Sequence, residues 1–285
     1  MIETQVKFWD RRFPRLLRRN RVAMVGLLIV TVMVSIGVLG PILAPFDPDA
    51  QFGASRLQSP GTEFLLGTDN LGRDILSRLF HGARLSIGMA AMATVFIVAI
   101  ALLVGSVAGY VGGVVDDLAM RVVDTILAFP GIILALAIVG VLGPGLENVM
   151  MSLVLVVWAG YSRLVRGLVL ETREKPFVES AFAIGCSRTR ILVRHIVPNM
   201  ISPVIVLVSL EMGTLILALA SLNFLGLGVQ PPTAEWGSML NQGRLFFQSE
   251  PQLMIYPGVM ISLTVLGFNL LGDGIRDLID PRYSS

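Results

Sequence analysis

Long charge-free stretches alternate with short charged ones along the chain. Residues 22–46, 85–115, 125–146 and 251–272 carry no Asp, Glu, Lys or Arg. A helix rises about 1.5 Å per residue and the hydrocarbon layer is about 30 Å thick, so about 20 apolar residues cross it. Each of these runs is that long. Two more spans are read from interrupted runs. Residues 148–162 lie between Glu147 and Arg163, whose charges can sit at the interfaces, and Trp158 and Tyr161 suit a membrane–water boundary. Residues 196–234 are broken only by Glu211, and are read as one span from about Ile201 to Leu222 followed by an external loop containing Gly and Pro. The pattern predicts an all-α integral membrane protein with six transmembrane helices. Pro130, Pro203 and Pro257 fall within or near the start of spans and should kink them, leaving neighbouring helices to satisfy the freed backbone groups.

Composition narrows the class. Apolar residues make up 54% of the chain, charged residues 15%, and the mean hydropathy is +0.76, against roughly 25% charged residues in a soluble domain. Lysine occurs only at Lys7 and Lys175, neither after a glycine, so no phosphate-binding loop of the G-x-x-x-x-G-K-[ST] type exists here. Histidine occurs only at His81 and His195, which excludes a histidine-rich metal site within the chain. The single cysteine, Cys186, rules out an internal disulfide and is read as an inert small residue.

Cytoplasmic loops carry the excess of Lys and Arg. With the N-terminus inside, the inner segments are 1–21, 109–121, 163–198 and 273–285, holding 7, 1, 7 and 2 of these residues, 17 of the 22. Six crossings also return both ends to the cytoplasm. The basic head mimics a secretory signal, but the apolar run behind it exceeds the roughly 7–15 residues of a signal core, so it is read as an uncleaved first span, residues 22–43. Residues 44–83 form an outer loop with Pro45, Pro48, Gly53, Pro60 and Gly61. Within it, residues 74–83 read as a short amphipathic helix lying flat at the membrane surface, with Ile75, Leu76, Leu79 and Phe80 on one side and His81 as a solvated interfacial residue.

The stretch from Glu174 to Asn199 carries the most information. Pro176 fits a first helical turn, and Glu179 lies early in that helix, where its charge suits the positive end of the dipole. Phe177, Ala181 and Ile184 share a face. Gly185 permits a turn with positive φ, Ser187 is a candidate N-cap, and Pro198 is expected to end the second helix at Val197. Two short helices joined at a glycine make a rigid knob suited to docking in a cleft of a soluble partner. The same residues also fit a solvated basic loop that only fixes topology.

Glu179-Ser180-Ala181, three residues, Gly185, then Ile196-Val197-Pro198 resembles the EAA motif of ABC importer permeases, with Ser180 replacing the second position and Val197 a leucine. The ending Arg194-His195-Ile196-Val197-Pro198-Asn199 is similar to the peptide-permease branch. So are 66–78, L-G-T-D-N-L-G-R-D-I-L-S-R, with Gly82 and Arg84 beyond it; the His usual before this signature is absent, with Glu63 and Phe64 in its place. Residues 222–228, 232–237, and 269–277 with Asp280 and Arg282 add further likeness to C-type permeases of dipeptide, oligopeptide and nickel import. The resemblance implies a type I (MetI-like) permease core over 84–273 with a cytoplasmic tail over 274–285, in a bacterial cytoplasmic membrane. It implies that Glu179, Ser180, Ala181, Gly185, Ile196 and Pro198 couple to ATPase subunits. The implied partners are a B-type permease, two ATPase subunits that bind the ATP and Mg, and an external solute-binding protein. No cofactor is expected in this chain, and no nucleic-acid partner. The expected cargo is di- or oligopeptide, with nickel or a metal chelate as the alternative.

An acidic group at mid-bilayer costs on the order of 2.5–3.5 kcal/mol unless it faces partners or water. Glu211 should therefore face the interior or a pathway. Asp124 can pair with Arg121 nearby, and Asn223 and Asn269 can bridge helices. Each of these four admits a pathway role or a structural one. A self-sufficient channel or secondary carrier would favour internal repeats and several intramembrane ionisable groups. An intramembrane enzyme would need a nucleophile–base pair or metal ligands in the spans, and both histidines fall outside the bilayer core.

Overall fold

The computed structural model describes residues 20–279. Lys7 and the arginines up to Arg19, together with Asp280 and Arg282, lie outside the described residues. Helix α1, Arg21–Leu43, starts at Asn20, whose Oδ1 accepts from the Ala23 N–H at 3.1 Å. Its buried face is mostly small: Ala23, Gly26, Gly37 and Gly40 beside Met33. That face lets α1 lie close against helices α2 (Ile75–Val111) and α10 (Gln252–Ile279). Its other face leaves Leu28 and Val38 exposed, as lipid-facing residues are.

Helix α2, Ile75–Val111, is one helix of 37 residues. It is about 55 Å long and overshoots any bilayer core. The expected flat amphipathic helix over 74–83 is therefore the N-terminal end of the second span. The reason lies in burial on all sides. Ile75, Leu79 and Ala83 are buried, and so is Arg78, whose charge finds partners in distant loops.

The third span differs too. Helix α3, Gly113–Leu127, and helix α4, Gly131–Leu142, meet at an angle of 86° around Phe129 and Pro130. Pro130 has no N–H to extend α3 and stands in extended conformation as the N-cap of α4. With 12 residues, α4 is too short to cross alone. Among the described residues, five helices, α1 and α2 with three described below, are long and apolar enough to cross. The bent α3–α4 pair is the candidate for the sixth span.

Helix α5, Leu146–Arg173, has 28 residues and does not stop at Arg163. Arg163 pairs with Asp124, and Arg166 makes a two-pronged bridge to Asp116 at 2.5 and 2.6 Å. Because α3 supplies these acids, the positive charges need not end the span. The same geometry corrects the expected Asp124–Arg121 pair. Tyr161 also leaves the boundary expected for it, since it packs inside against α8, defined next.

Two short helices follow, α6 (Pro176–Ala183) and α7 (Arg188–Ile191). Helix α8, Ile201–Phe224, carries Pro203 in its first turn. A short outer helix α9, Trp236–Gly243, precedes the last span α10, Gln252–Ile279, which contains Pro257. The core lies where α2, α5, α8 and α10 meet, with Ala93 and Ile97, Val149 and Leu153, and Leu215 and Leu219 all buried in one cluster. α2 comes close to α5 at Gly105, where a Cβ would come 2.5 Å from Ser162 O.

Candidate functional site

The segment between α5 and α8 forms a knob hung from two spans. Pro176 opens α6 at its first position and Glu179 lies in the first turn. Gly185 turns the chain at φ +80°, and Ser187 Oγ caps α7 by accepting from the Arg190 N–H. Ala181, Ile191 and Ile196 are buried with Val178, Val165, Val169 and Met200, so the knob has its own small core against α5. Glu179, Ser180 and Gly185 are exposed, and Pro198 is half-buried. Ile184 differs from expectation. It lies past the end of α6 and is 80% exposed. With Phe182 at 46% and Val193 at 61%, it leaves apolar side chains bare on the knob. Pro198 does not end the second helix either. Val197 is helical, and the chain passes through a π turn at Leu192–Ile196 and a 3-10 turn at Val197–Met200 into α8. The widened turn accommodates the proline, and Asn199 Nδ2 donates to His195 O at 2.5 Å.

At the other end, the 66–78 signature is a buried polar knot. Asp69 Oδ1 accepts from the N–H groups of Leu71 and Arg73, and Arg73 Nε donates to Asp69 Oδ2 at 2.6 Å. Arg73 Nη2 reaches Gln242 of α9 at 2.7 Å. Arg78 Nη1 donates to Pro48 O at 2.9 Å, Pro232 O at 3.2 Å and Asp49 at 3.3 Å. Asp74 caps α2 through Ser77, whose hydroxyl in turn accepts from the Phe46 N–H. Glu235 does the same for α9, accepting from the Ser238 N–H and from Ser86 Oγ, both at 2.8 Å. Burial pushes its carboxyl above the usual range, against the pull of those hydrogen bonds. Beside this knot a groove of about 930 Å³ runs between the outer ends of α2 and α5. His81, Arg84 and Glu147 stand on its wall with Met89, Met92 and Phe96.

Residues 101–285 match the family model described as the inner membrane component of binding-protein-dependent transport systems. Residues 7–60 match the N-terminal TM domain of oligopeptide transport permease C. The chain belongs to this family of ABC importer permeases. It is 43% identical to the dipeptide transport system permease protein DppC of Alkalihalophilus pseudofirmus over 282 residues, 99% of this chain and 92% of that protein. It is also 43% identical to the glutathione transport system permease protein GsiD of Escherichia coli and of Shigella boydii, over 277 residues, 97% of this chain and 90% of each relative.

Within the permease, the interior polar residues fall into separate places. Glu211 of α8 is buried at 3% exposure and accepts from the Tyr161 hydroxyl of α5, while its Oε1 has no partner. This bridge joins the two spans that enter and leave the knob. Asn223 is buried but works locally: its Oδ1 accepts from the Val229 N–H at 2.7 Å and its Nδ2 donates to Leu219 O, closing the turn after α8. It therefore does not bridge two spans. Asn269 of α10 sits against Gly213 of α8, where a Cβ would come 2.7 Å from its Oδ1. Asp124 is exposed on α3. None of the four lines the outer groove. Among the described residues, no group of three or more His, Cys, Asp or Glu could hold a metal ion. The sequence alone places Tyr161 and Arg163 at interfaces and offers no partner for either, since those partners lie 50 and 39 residues away. Sequence reasoning passed over Phe182 and Val193, whose bareness follows only from the knob's folding.

Proposed function

We propose that this permease couples to separate ATPase subunits through the α6–α7 knob and carries di- or oligopeptides, glutathione included, inward across a bacterial cytoplasmic membrane with both chain ends inside. The observation that carries this reading is the knob's exposed face. Glu179, Ser180 and Gly185 stand bare beside Phe182, Ile184 and Val193, above a core that fixes their positions. Large apolar side chains left exposed on an otherwise basic hydrophilic segment point to a docking surface. The names of the relatives, dipeptide and glutathione permeases, favour peptide cargo.

The coupling route follows from connectivity. α5 leads directly into α6, and α7 leads through the π turn into α8. ATP and Mg are held by the ATPase partners, whose closure displaces the knob. Ala181, Ile191 and Ile196 carry that displacement into the base of α5, and Pro198 carries it into α8. The Tyr161–Glu211 bridge makes the two spans move together. A B-type permease supplies the other half of the pathway, and an external binding protein delivers cargo to the outer face.

The test uses the full transporter. At Gly185 a side chain at positive φ costs about 1–2 kcal/mol and reorients α7 against α6. Gly185→Val and Glu179→Lys should each lower peptide uptake at least tenfold and release the ATPase subunits on purification, with membrane insertion unchanged. Normal uptake and intact co-purification in both variants would refute the coupling role.

A further inference from the structure

We propose that the cavity between the knob and the adjoining end of α2 binds the phosphate of an anionic membrane phospholipid. This cavity, about 630 Å³, is separate from the groove at the outer end. Arg173 enters it from the end of α5, and Arg188 and Thr189 enter from α7. Among the described residues, neither arginine is in an ion pair, and no Asp or Glu lines the cavity. Arg173 uses Nη1 for a long contact of 3.4 Å to Tyr110 O, which leaves most of its fork unused. The Tyr110 hydroxyl is buried and has no hydrogen-bond partner. A buried hydroxyl left so is unfavourable, and an acceptor oxygen in the cavity would relieve it. Two guanidinium groups and one hydroxyl, all donors, call for a tetrahedral oxyanion.

The walls choose the lipid over a soluble anion. Val107 and Val111 line the cavity on the α2 side and are 37% and 59% exposed. They continue a bare stripe that includes Leu103, at 67% exposure, one turn deeper. Acyl chains can follow that stripe into the hydrocarbon layer, whereas free phosphate has no use for it. Tyr110 at the end of a span stands at headgroup depth, where basic pockets between helices take phospholipid headgroups. A phosphate gripped by Arg173 of the span and Arg188 of the knob would brace the knob against α2. Binding requires only that this end of the helices meets a headgroup layer, so it stands or falls apart from ATPase docking.

The test reconstitutes the full chain in nanodiscs of phosphatidylcholine with or without phosphatidylglycerol and counts retained lipid by native mass spectrometry. The wild type should retain phosphatidylglycerol in preference to phosphatidylcholine. Arg188→Gln alters an exposed side chain and should fold normally, with retention falling about tenfold, the loss of one strong charge-assisted contact. Tyr110→Phe removes the orphan hydroxyl, so retention should fall while thermal stability holds or rises. Arg56→Gln, on the outer loop, should retain as the wild type does. Unchanged retention in Arg188→Gln and Tyr110→Phe would overturn the proposal. Complete displacement of phosphatidylglycerol by inorganic phosphate would also overturn it, assigning the cavity to a soluble anion.

Discussion

Arg78 ties three separate outer segments, and its removal should loosen all of them. Arg78→Met keeps the length and apolar stem of the side chain but deletes every donor. Pro48 O and Pro232 O then lose their partner; Pro48 is half-buried and its unsatisfied carbonyl costs about 1–3 kcal/mol, whereas Pro232 is exposed and its carbonyl turns to water. The Asp49 contact adds little, because that carboxylate is 42% exposed and its attraction is screened. Asp69 keeps Arg73 as its partner at 2.6 Å, so no buried carboxylate is stranded. Deleting the guanidinium also returns part of the cost of burying it. The balance is about 1.4 kcal/mol against this layer, or roughly tenfold in its opening equilibrium. Hydrogen exchange reads this directly. The Leu57, Thr68 and Asp69 amides donate to Asp69 O, Gln58 O and Arg73 O within the knot. Their protection should fall about tenfold, with the amides of α5 unchanged. Equal protection in variant and wild type would show that Arg78 is held by the fold and does not hold it, and the derivation would fail.

Two further outcomes test the packing beneath. Gly105→Leu forces α2 off the Ser162 carbonyl and Val165 and should cost about 1–3 kcal/mol, read as a lower melting temperature of the purified permease. A double-mutant cycle on Arg166 and Asp116 should give a coupling of about 1 kcal/mol, because the bridge is two-pronged and partly buried. The same cycle on Arg163 and Asp124, exposed at 51% and 63%, should give close to zero.

What could be read from the sequence follows how far each signal reaches along the chain. Apolar run length locates α1, α8 and α10 closely, because each needs only its own residues to satisfy the bilayer. The knob's turn was legible for the same reason: a glycine at positive φ, a proline at N1 and a serine cap act within one helical turn. Most of the errors involve charges or prolines whose surroundings come from distant segments. Arg163 reads as the end of a span when Asp124 is not known to face it. Arg78 reads as a surface residue until Pro48 and Pro232 are seen to surround it. Pro198 reads as a break, although a π turn upstream absorbs it.

The same contrast bears on how the permease moves. Its two ends are built differently. The outer end is cross-linked by buried charges: Arg73 reaches α9, Arg78 reaches two loops, and Glu235 joins α9 to α2. Shifting any of these by an ångström would strand a buried charge, so the outer ends of α2 and α9 must move as a block. The knob end is held by apolar contacts and by bridges at the surface, which can slide at little cost. Between them, the bent α3–α4 pair touches the rest mainly through α2 and α5. On the proposed coupling, a push on the knob would meet a stiff block at the far end and a compliant base. The displacement must be taken up where α3 turns through 86° into α4, beside the span that carries the push. Pro130 fixes where the bend falls, and the two-pronged Asp116–Arg166 bridge binds α3 to α5, so on the proposed coupling motion of the knob would reach the bend through α5 without crossing the polar knot.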